Sequence, residues 1–277
     1  MSAPVLTSVH FYPVKSMAGS TPDEAAVEPW GLAGDRRWMV VDEHGSMITQ
    51  RQEPRLALAS AFLLDGGGVR LCAPGMEPLD VAVPAVPGGQ GTVTVRVFRD
   101  SVQGVPAGAA AGEWLSAYLG TAARLVHLDA PEVRRPVDPG YGRPGETVSF
   151  ADGFPLLLTT TGSLDALNSL IASGDRAAEG PLPMNRFRPN VVVGGTAAWA
   201  EDGWRRIRVG EVTFRVVKPC GRCVVTTTDQ RTALRGKEPL RTLARHHRIG
   251  KQAVFGQNLV PEHTGVLRVG DTVEILQ

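Results

Sequence analysis

Residues 92–98 read Thr92-Val93-Thr94-Val95-Arg96-Val97-Phe98, with valine at every second position. That period belongs to a half-buried strand and not to an amphipathic helix. Runs of similar β-forming character recur along the chain, each cut short by turn residues. Residues 6–12 form the first. Residues 37–41 and 46–51 flank Asp42-Glu43-His44-Gly45, and residues 58–64 and 69–72 flank Asp65-Gly66-Gly67-Gly68. Each pair predicts a hairpin. Many short strands separated by glycine and proline turns point to barrels rather than to an alternating βαβ sheet.

The second half repeats the mixture. Residues 124–128, 154–160 and 190–193 read as strands. Residues 207–209 with 212–217, and 267–269 with 273–276, read as hairpins around Gly210-Glu211 and Gly270-Asp271. Helices are few. One spans 109–119, with Trp114, Leu115, Tyr118 and Leu119 on a single stripe. Another spans 164–172, with Ser163 as N-cap and Gly174 as its stop, and a third covers 240–248. Residues 129–152 hold four prolines and several glycines, which predicts a long irregular connection. The fold class is mainly β with a few helices (α+β). A boundary near residue 126 divides it into a β-barrel-like domain, 1–126, and a second β-barrel domain, 127–277.

Composition excludes several functions. Charges nearly cancel, 29 Lys+Arg against 28 Asp+Glu, so the chain is no general polyanion binder and no nucleic acid polymer is expected. Only Lys15, Lys218, Lys237 and Lys251 are lysines, leaving 25 arginines, whose planar forks suit phosphate and carboxylate. The first ten residues have no basic n-region or long apolar run, and no stretch of 18 apolar residues follows. A soluble cytoplasmic location without membrane attachment is expected. Three cysteines make no disulfide framework.

Cys220-Gly221-Arg222-Cys223 is the most informative segment. A thioredoxin-like pair needs a helix after its first cysteine. Here Val224-Val225-Thr226-Thr227-Thr228 follow, and five β-branched residues cost a helix roughly 2–3 kcal/mol. The pair is therefore expected on a strand–turn–strand. Four-ligand zinc and iron–sulfur sites lack partners, because only Cys72 remains and His246 and His247 are adjacent. Two readings stay open: a plain structural turn, or one soft thiolate on a metal whose other ligands come from a cofactor. Arg222, between the cysteines, could lower a thiol pKa or meet an anion.

Seven segments, in order, resemble the MOSC family in the branch that carries an N-terminal β-barrel and includes the amidoxime-reducing components. They are Tyr12-Pro13-Val14-Lys15-Ser16, Gly34-Asp35-Arg36-Arg37-Trp38, Arg51-Gln52-Glu53-Pro54-Arg55-Leu56, Phe187-Arg188-Pro189-Asn190, the cysteine segment with Thr226-Thr227-Thr228-Asp229, Lys237-Glu238-Pro239-Leu240, and Phe255-Gly256-Gln257. The resemblance covers essentially the whole chain. It implies a molybdenum cofactor, a pyranopterin dithiolene with a terminal phosphate, ligated by Cys223. Lys15, Ser16, Arg36 and Arg188 suit the phosphate and pterin edge, and Asn190 suits a pterin amide. Ser163 would offer a helix N-terminus to an anion. Asp229 either caps a turn or accepts a hydrogen bond near the metal.

The implied activity is reduction of N-hydroxylated compounds: amidoximes, hydroxylamines and N-hydroxylated bases. Electrons would come from a separate protein, ferredoxin-like or a flavin reductase, because no iron–sulfur cluster and no electron-input domain are expected in this chain. The rival reading is a carrier or sulfuration protein for the same cofactor, without substrate turnover. The charge runs at 205–208 and 245–248 read as solvated faces or as a docking surface for an acidic electron-transfer partner.

Overall fold

A computed structural model describes residues 3–85 and 91–277. The fold is mainly β, as the punctuated strand pattern requires. The largest sheet runs, neighbour to neighbour, Val5–Val9, Val191–Gly194, Leu156–Thr160, Gln252–Pro261, Val212–Gly221, Arg206–Val209 and Val273–Ile275. Its two ends nearly meet. Leu6 N donates to Asp271 O and Val273 N to Pro4 O, each over 2.8 Å, so the sheet curls into a barrel. Its one parallel pair, Leu156–Thr160 with Val191–Gly194, is joined through the helix Thr161–Ala172, since a parallel neighbour needs a crossover.

The first half carries a four-stranded sheet, Trp38–Val41, Arg124–His127, Asp100–Pro106 and Val93–Val97. A three-stranded sheet of Ser60–Leu63, Val69–Cys72 and Leu79–Val81 accompanies it. The helix Ala109–Leu119 buries Ala111, Trp114, Leu115, Tyr118 and Leu119, one stripe at helical spacing. Gly120, at φ 74°, ends it in the left-handed conformation.

Strand pairing differs from expectation in part. Residues 46–51 form no regular strand, yet the turn at residues 42–45 does bring them back. Val41 bridges Met47 antiparallel, Asp42 N donates to Ser46 O at 2.9 Å and Ile48 N to Val40 O at 2.8 Å, while Trp38–Val41 also pairs with Arg124–His127. Residues 267–269 and 273–276 form no hairpin. Gly265–Arg268 pairs with Glu24–Glu28, and Val273–Ile275 pairs with Arg206–Val209. The first strand lies in the barrel of the second half, because only there does its apolar edge close a sheet. Leu6, Val9, Val27 and Leu32 join Leu158, Val193, Phe214 and Leu259 in one core. In return Phe150 packs with Met39, Val41 and Val126. The cores interleave across residue 126.

Candidate active site

A cleft opens on the seam between the halves. It encloses about 800 Å³, open solvent at its mouth included. Lys15, Ser16, Arg36, Arg188, Asn190, Arg222 and Cys223 all line it.

Local backbone aims these side chains. Lys15 N donates to Trp38 O and Arg36 N to Tyr12 O, each over 2.8 Å, which locks the two motif segments side by side. Ser16 (φ 70°), Arg36 (φ 46°) and Arg188 (φ 53°) all adopt the left-handed conformation. For residues with a Cβ this costs on the order of 1–3 kcal/mol each. Three such conformers converge on one cleft, where they orient a hydroxyl and two guanidinium groups.

The electrostatics are lopsided. Arg36 and Arg188 each hold a guanidinium 4.2 Å from the Tyr12 ring centroid. Arg36 Nη1 donates to Asp35 Oδ2 at 2.5 Å and to Asn190 Oδ1 at 3.1 Å. Arg188 Nη2 and Arg222 Nε are buried and meet no acceptor among the described residues. Burial brings Arg188 down to about 10. Lys15 Nζ donates to Phe150 O at 2.8 Å and to Asp152 Oδ1 at 2.5 Å. Burial lowers Lys15 to about 8, outweighing the pull of Asp152. Asp152 feels the opposite balance. Burial works to raise it, but Lys15 and then Arg51 and Arg36 hold its carboxyl well below the usual carboxylate range. Its side chain is 68% accessible, yet it opens into the cleft and remains surrounded by protein. Five cations (Lys15, Arg36, Arg51, Arg188 and Arg222) thus face two carboxylates, Asp35 and Asp152. An anionic ligand would supply the missing charge and the missing acceptors.

Cys220 is the penultimate residue of the strand Val212–Gly221, and Cys223 caps a 3₁₀ turn, Val224–Thr227. A second strand was the expectation after the cysteines. Instead the Thr226 and Thr227 hydroxyls donate back to Cys223 O and Val224 O at 2.8 Å, a local bond that competes with the ladder. Cys223 Sγ accepts from Arg51 Nη2 at 3.3 Å. Arg222 turns the other way: Nη1 donates to Cys220 Sγ at 2.8 Å and Nη2 to Phe187 O at 2.7 Å. Burial pushes the Cys220 thiol up, and Arg222 opposes it. Among the described residues no three His, Cys, Asp or Glu side chains group as metal ligands. A metal on Cys223 therefore needs further ligands from a group brought in from outside the chain.

Two of the expected site residues lie elsewhere, and a third is already engaged. Ser163 is fully buried, its hydroxyl 2.8 Å from Glu201 Oε2, and the N-cap is Thr160, whose side chain accepts from Ser163 N. Asp229 caps its own turn, accepting from Arg231 N and Thr232 N, and pairs with Arg186 at 2.8 Å. Asn190 reaches the cleft, but its amide is engaged with Arg36, Leu157 N and His10 O, so it braces Arg36. Arg51 and Asp152 were not singled out from sequence. Arg51 begins one of the quoted motifs; Asp152 ends the irregular 129–152 stretch and carries no local signal.

Comparison with known proteins agrees with this architecture. Residues 3–122 match the MOSC N-terminal beta barrel domain and residues 145–274 match the MOSC domain. The mitochondrial amidoxime-reducing component 1 of Xenopus laevis is 36% identical, covering 97% of this chain and 81% of that one. The Homo sapiens protein of the same name is 34% identical over 96% and 81%. A molybdenum cofactor sulfurase from Danio rerio is 33% identical over 88% of this chain but only 30% of its own length. The names of the first two overturn the cytoplasmic expectation, since they place those relatives at the mitochondrion. A barrel core looks alike in either compartment, so the folded residues carried no signal of it. Among the described residues no helix is long and apolar enough to cross a membrane. Two matched domains in series, with relatives of this identity along almost the whole chain, mean that the protein belongs to the MOSC family, in the branch with an N-terminal β-barrel domain.

Proposed function

We propose that this chain is a molybdenum-cofactor-dependent reductase of N-hydroxylated compounds, with Cys223 as the thiolate ligand of the metal. The observation that carries the reading is the pairing, in one cleft, of the half-buried Cys223 sulfur with two buried guanidinium nitrogens, Arg188 Nη2 and Arg222 Nε, that meet no acceptor among the described residues. The residues fit the group: soft sulfur suits a sulfur-rich metal site, and Lys15, Arg36 and Arg188 suit a terminal phosphate. When bound, the cofactor supplies two-electron chemistry at an N–O bond. Overall, an N–OH group takes up two electrons and two protons and leaves as N–H and water. Arg51 donates its hydrogen bond to the Cys223 sulfur and so orients it. Ser16, whose hydroxyl has no partner among the described residues, is placed to bond the bound anion. Asp152, held ionised, accepts N–H or O–H donors of a substrate entering the cleft. A separate electron-transfer protein, ferredoxin-like or a flavin reductase, supplies the electrons.

The likeness to the sulfurase supports a second reading, in which the chain carries or sulfurates the cofactor without turnover. Metal analysis and turnover separate the two. Protein made in a molybdenum-competent host should hold near-stoichiometric molybdenum, and zinc dominance would sink both readings. With reduced methyl viologen as donor, Cys223→Ala should abolish reduction of an amidoxime while Cys220→Ala keeps a measurable share. Loaded protein that reduces no N-hydroxylated compound leaves the carrier reading standing.

A further inference from the structure

A second hollow abuts the cleft on its outer side, about 1320 Å³ with the open solvent at its mouth included. Asp152, Gly153, Phe154, Cys220, Gly221 and Asn258 line both, so the two share one rim. Most polar groups of this outer groove are already committed to the protein. Arg135 pairs with Asp100 at 2.8 Å and donates to the carbonyls of Ser149, Ala151 and Asp152, which fixes the loop carrying Asp152. Lys218 lays its ammonium 4.4 Å from the Tyr141 ring centroid, and Asn258 donates to Lys218 O at 3.1 Å. Arg99 and Gln252 are exposed and make no side-chain bond among the described residues. The remaining walls are largely apolar: Phe98, Val137, Phe154, Pro136, Pro139 and Pro219.

Phe98 stands at the rim under backbone constraint. Val93–Val97 and Asp100–Pro106 pair with Val97 opposite Asp100, so Phe98 and Arg99 alone turn the chain. The two-residue turns that suit a hairpin need a positive φ at their first position, where glycine or asparagine is favoured. Phe98 takes φ 56° there and carries a ring instead. That ring is 40% exposed, with Lys15 Nζ 5.4 Å and Arg51 Cζ 4.9 Å from its centroid. Lys15 and Arg51 line the cleft, whereas Phe98 lines the outer groove. A glycine would make the same turn without strain. Strain retained beside a binding cleft, with much of the ring left in solvent, points to a ligand as the partner of the ring.

We propose that the outer groove holds the apolar ring of the substrate, and that Phe98 selects ring-bearing N-hydroxylated compounds over small alkyl ones. The inference rests on the reductase reading above and names the substrate class that site prefers. The N–OH head reaches Asp152 at the shared rim, and the body lies outward against Phe98 and Phe154. Apolar walls favour apolar area, and a flat ring adds offset or edge-to-face contact with the two phenyl groups.

The test compares benzamidoxime with acetamidoxime on loaded protein, with reduced methyl viologen as donor and rates expressed per bound molybdenum. In an enclosed apolar pocket a single methylene changes kcat/KM about 10- to 200-fold. The groove is open to solvent, so a whole ring should favour benzamidoxime by about tenfold, chiefly through KM. Phe98→Gly should erase most of that preference while the thermal midpoint is kept, and Phe98→Tyr should retain the preference. Effects passed through Lys15 or Arg51 fall on both substrates and cancel in the ratio. Equal kcat/KM for the two compounds in the unmodified protein overturns the proposal. So does a preference that survives Phe98→Gly; if the midpoint also drops, the ring serves packing alone. Calorimetry of both amidoximes with oxidised protein, no donor present, reads binding without turnover. Protein that reduces neither compound, yet binds benzamidoxime more tightly through Phe98, keeps the subsite and removes the reductase reading.

Discussion

Lys15 is the cleft group whose charge changes nearest to neutrality, because burial takes it from 10.5 to about 8 against the pull of Asp152. Its folded pKa lies below the unfolded value, so between about 8 and 10.5 the unfolded chain holds more protons. Over that window the empty protein gains stability as pH rises, and it gives that gain back as pH falls through about 8. An anion in the cleft has the opposite preference, since it binds the protonated amine. Retention of a phosphate-ended cofactor should therefore weaken above pH 8, by at most about tenfold per pH unit for one linked proton. Dialysing loaded protein at pH 7 and at pH 9.5 and measuring bound molybdenum checks this. Lys15→Arg, which stays charged, should flatten the difference. Equal losses in both proteins would remove Lys15 from the phosphate-binding set.

At the scale of elements, the helix Thr161–Ala172 separates what sequence can say from what it cannot. A serine before an apolar run predicts a cap at Ser163, yet the helix begins three residues earlier than expected, at Thr161, and Thr160 caps it. The serine then faces inward to Glu201, a buried carboxyl raised by burial and held down by the Ser163 and Thr160 hydroxyls. Ser163→Ala should cost about 1–3 kcal/mol in urea unfolding, the penalty for leaving such a group short of a donor, with molybdenum content unchanged. A drop in molybdenum at unaltered stability would restore a cofactor role. Local elements were legible: the strands Ser60–Leu63 and Val69–Cys72 pair as their turn predicts, and the helix Ala109–Leu119 follows its stripe. Pairings settled by barrel closure were not, because Gly265–Arg268 finds Glu24–Glu28 far away in sequence. The site divides in the same way. Residues inside motifs were found, whereas Asp152 is assigned only by its contact with Lys15, 137 residues away.

The whole molecule sets a limit on dividing it. Val5–Val9 occupies the edge of Val191–Gly194, with Val5 opposite Gly194 and Val9 opposite Val191. The barrel core also takes Leu6, Val9, Val27 and Leu32 from the first half, each no more than 2% exposed. Full burial of such a side chain contributes about 1.5–3 kcal/mol, so the four together supply roughly 6–12 kcal/mol. That is comparable with the entire stability of an ordinary domain, about 5–15 kcal/mol. A fragment of residues 127–277 loses this contribution and leaves a hydrogen-bonding strand edge open to other chains. It should show no cooperative thermal transition, bind a hydrophobic dye and self-associate, while the full chain melts cooperatively. Calorimetry on the two proteins decides the matter: a sharp transition in the fragment near that of the full chain would mean that the barrel closes without its first strand, and that the two halves meet only at the cleft.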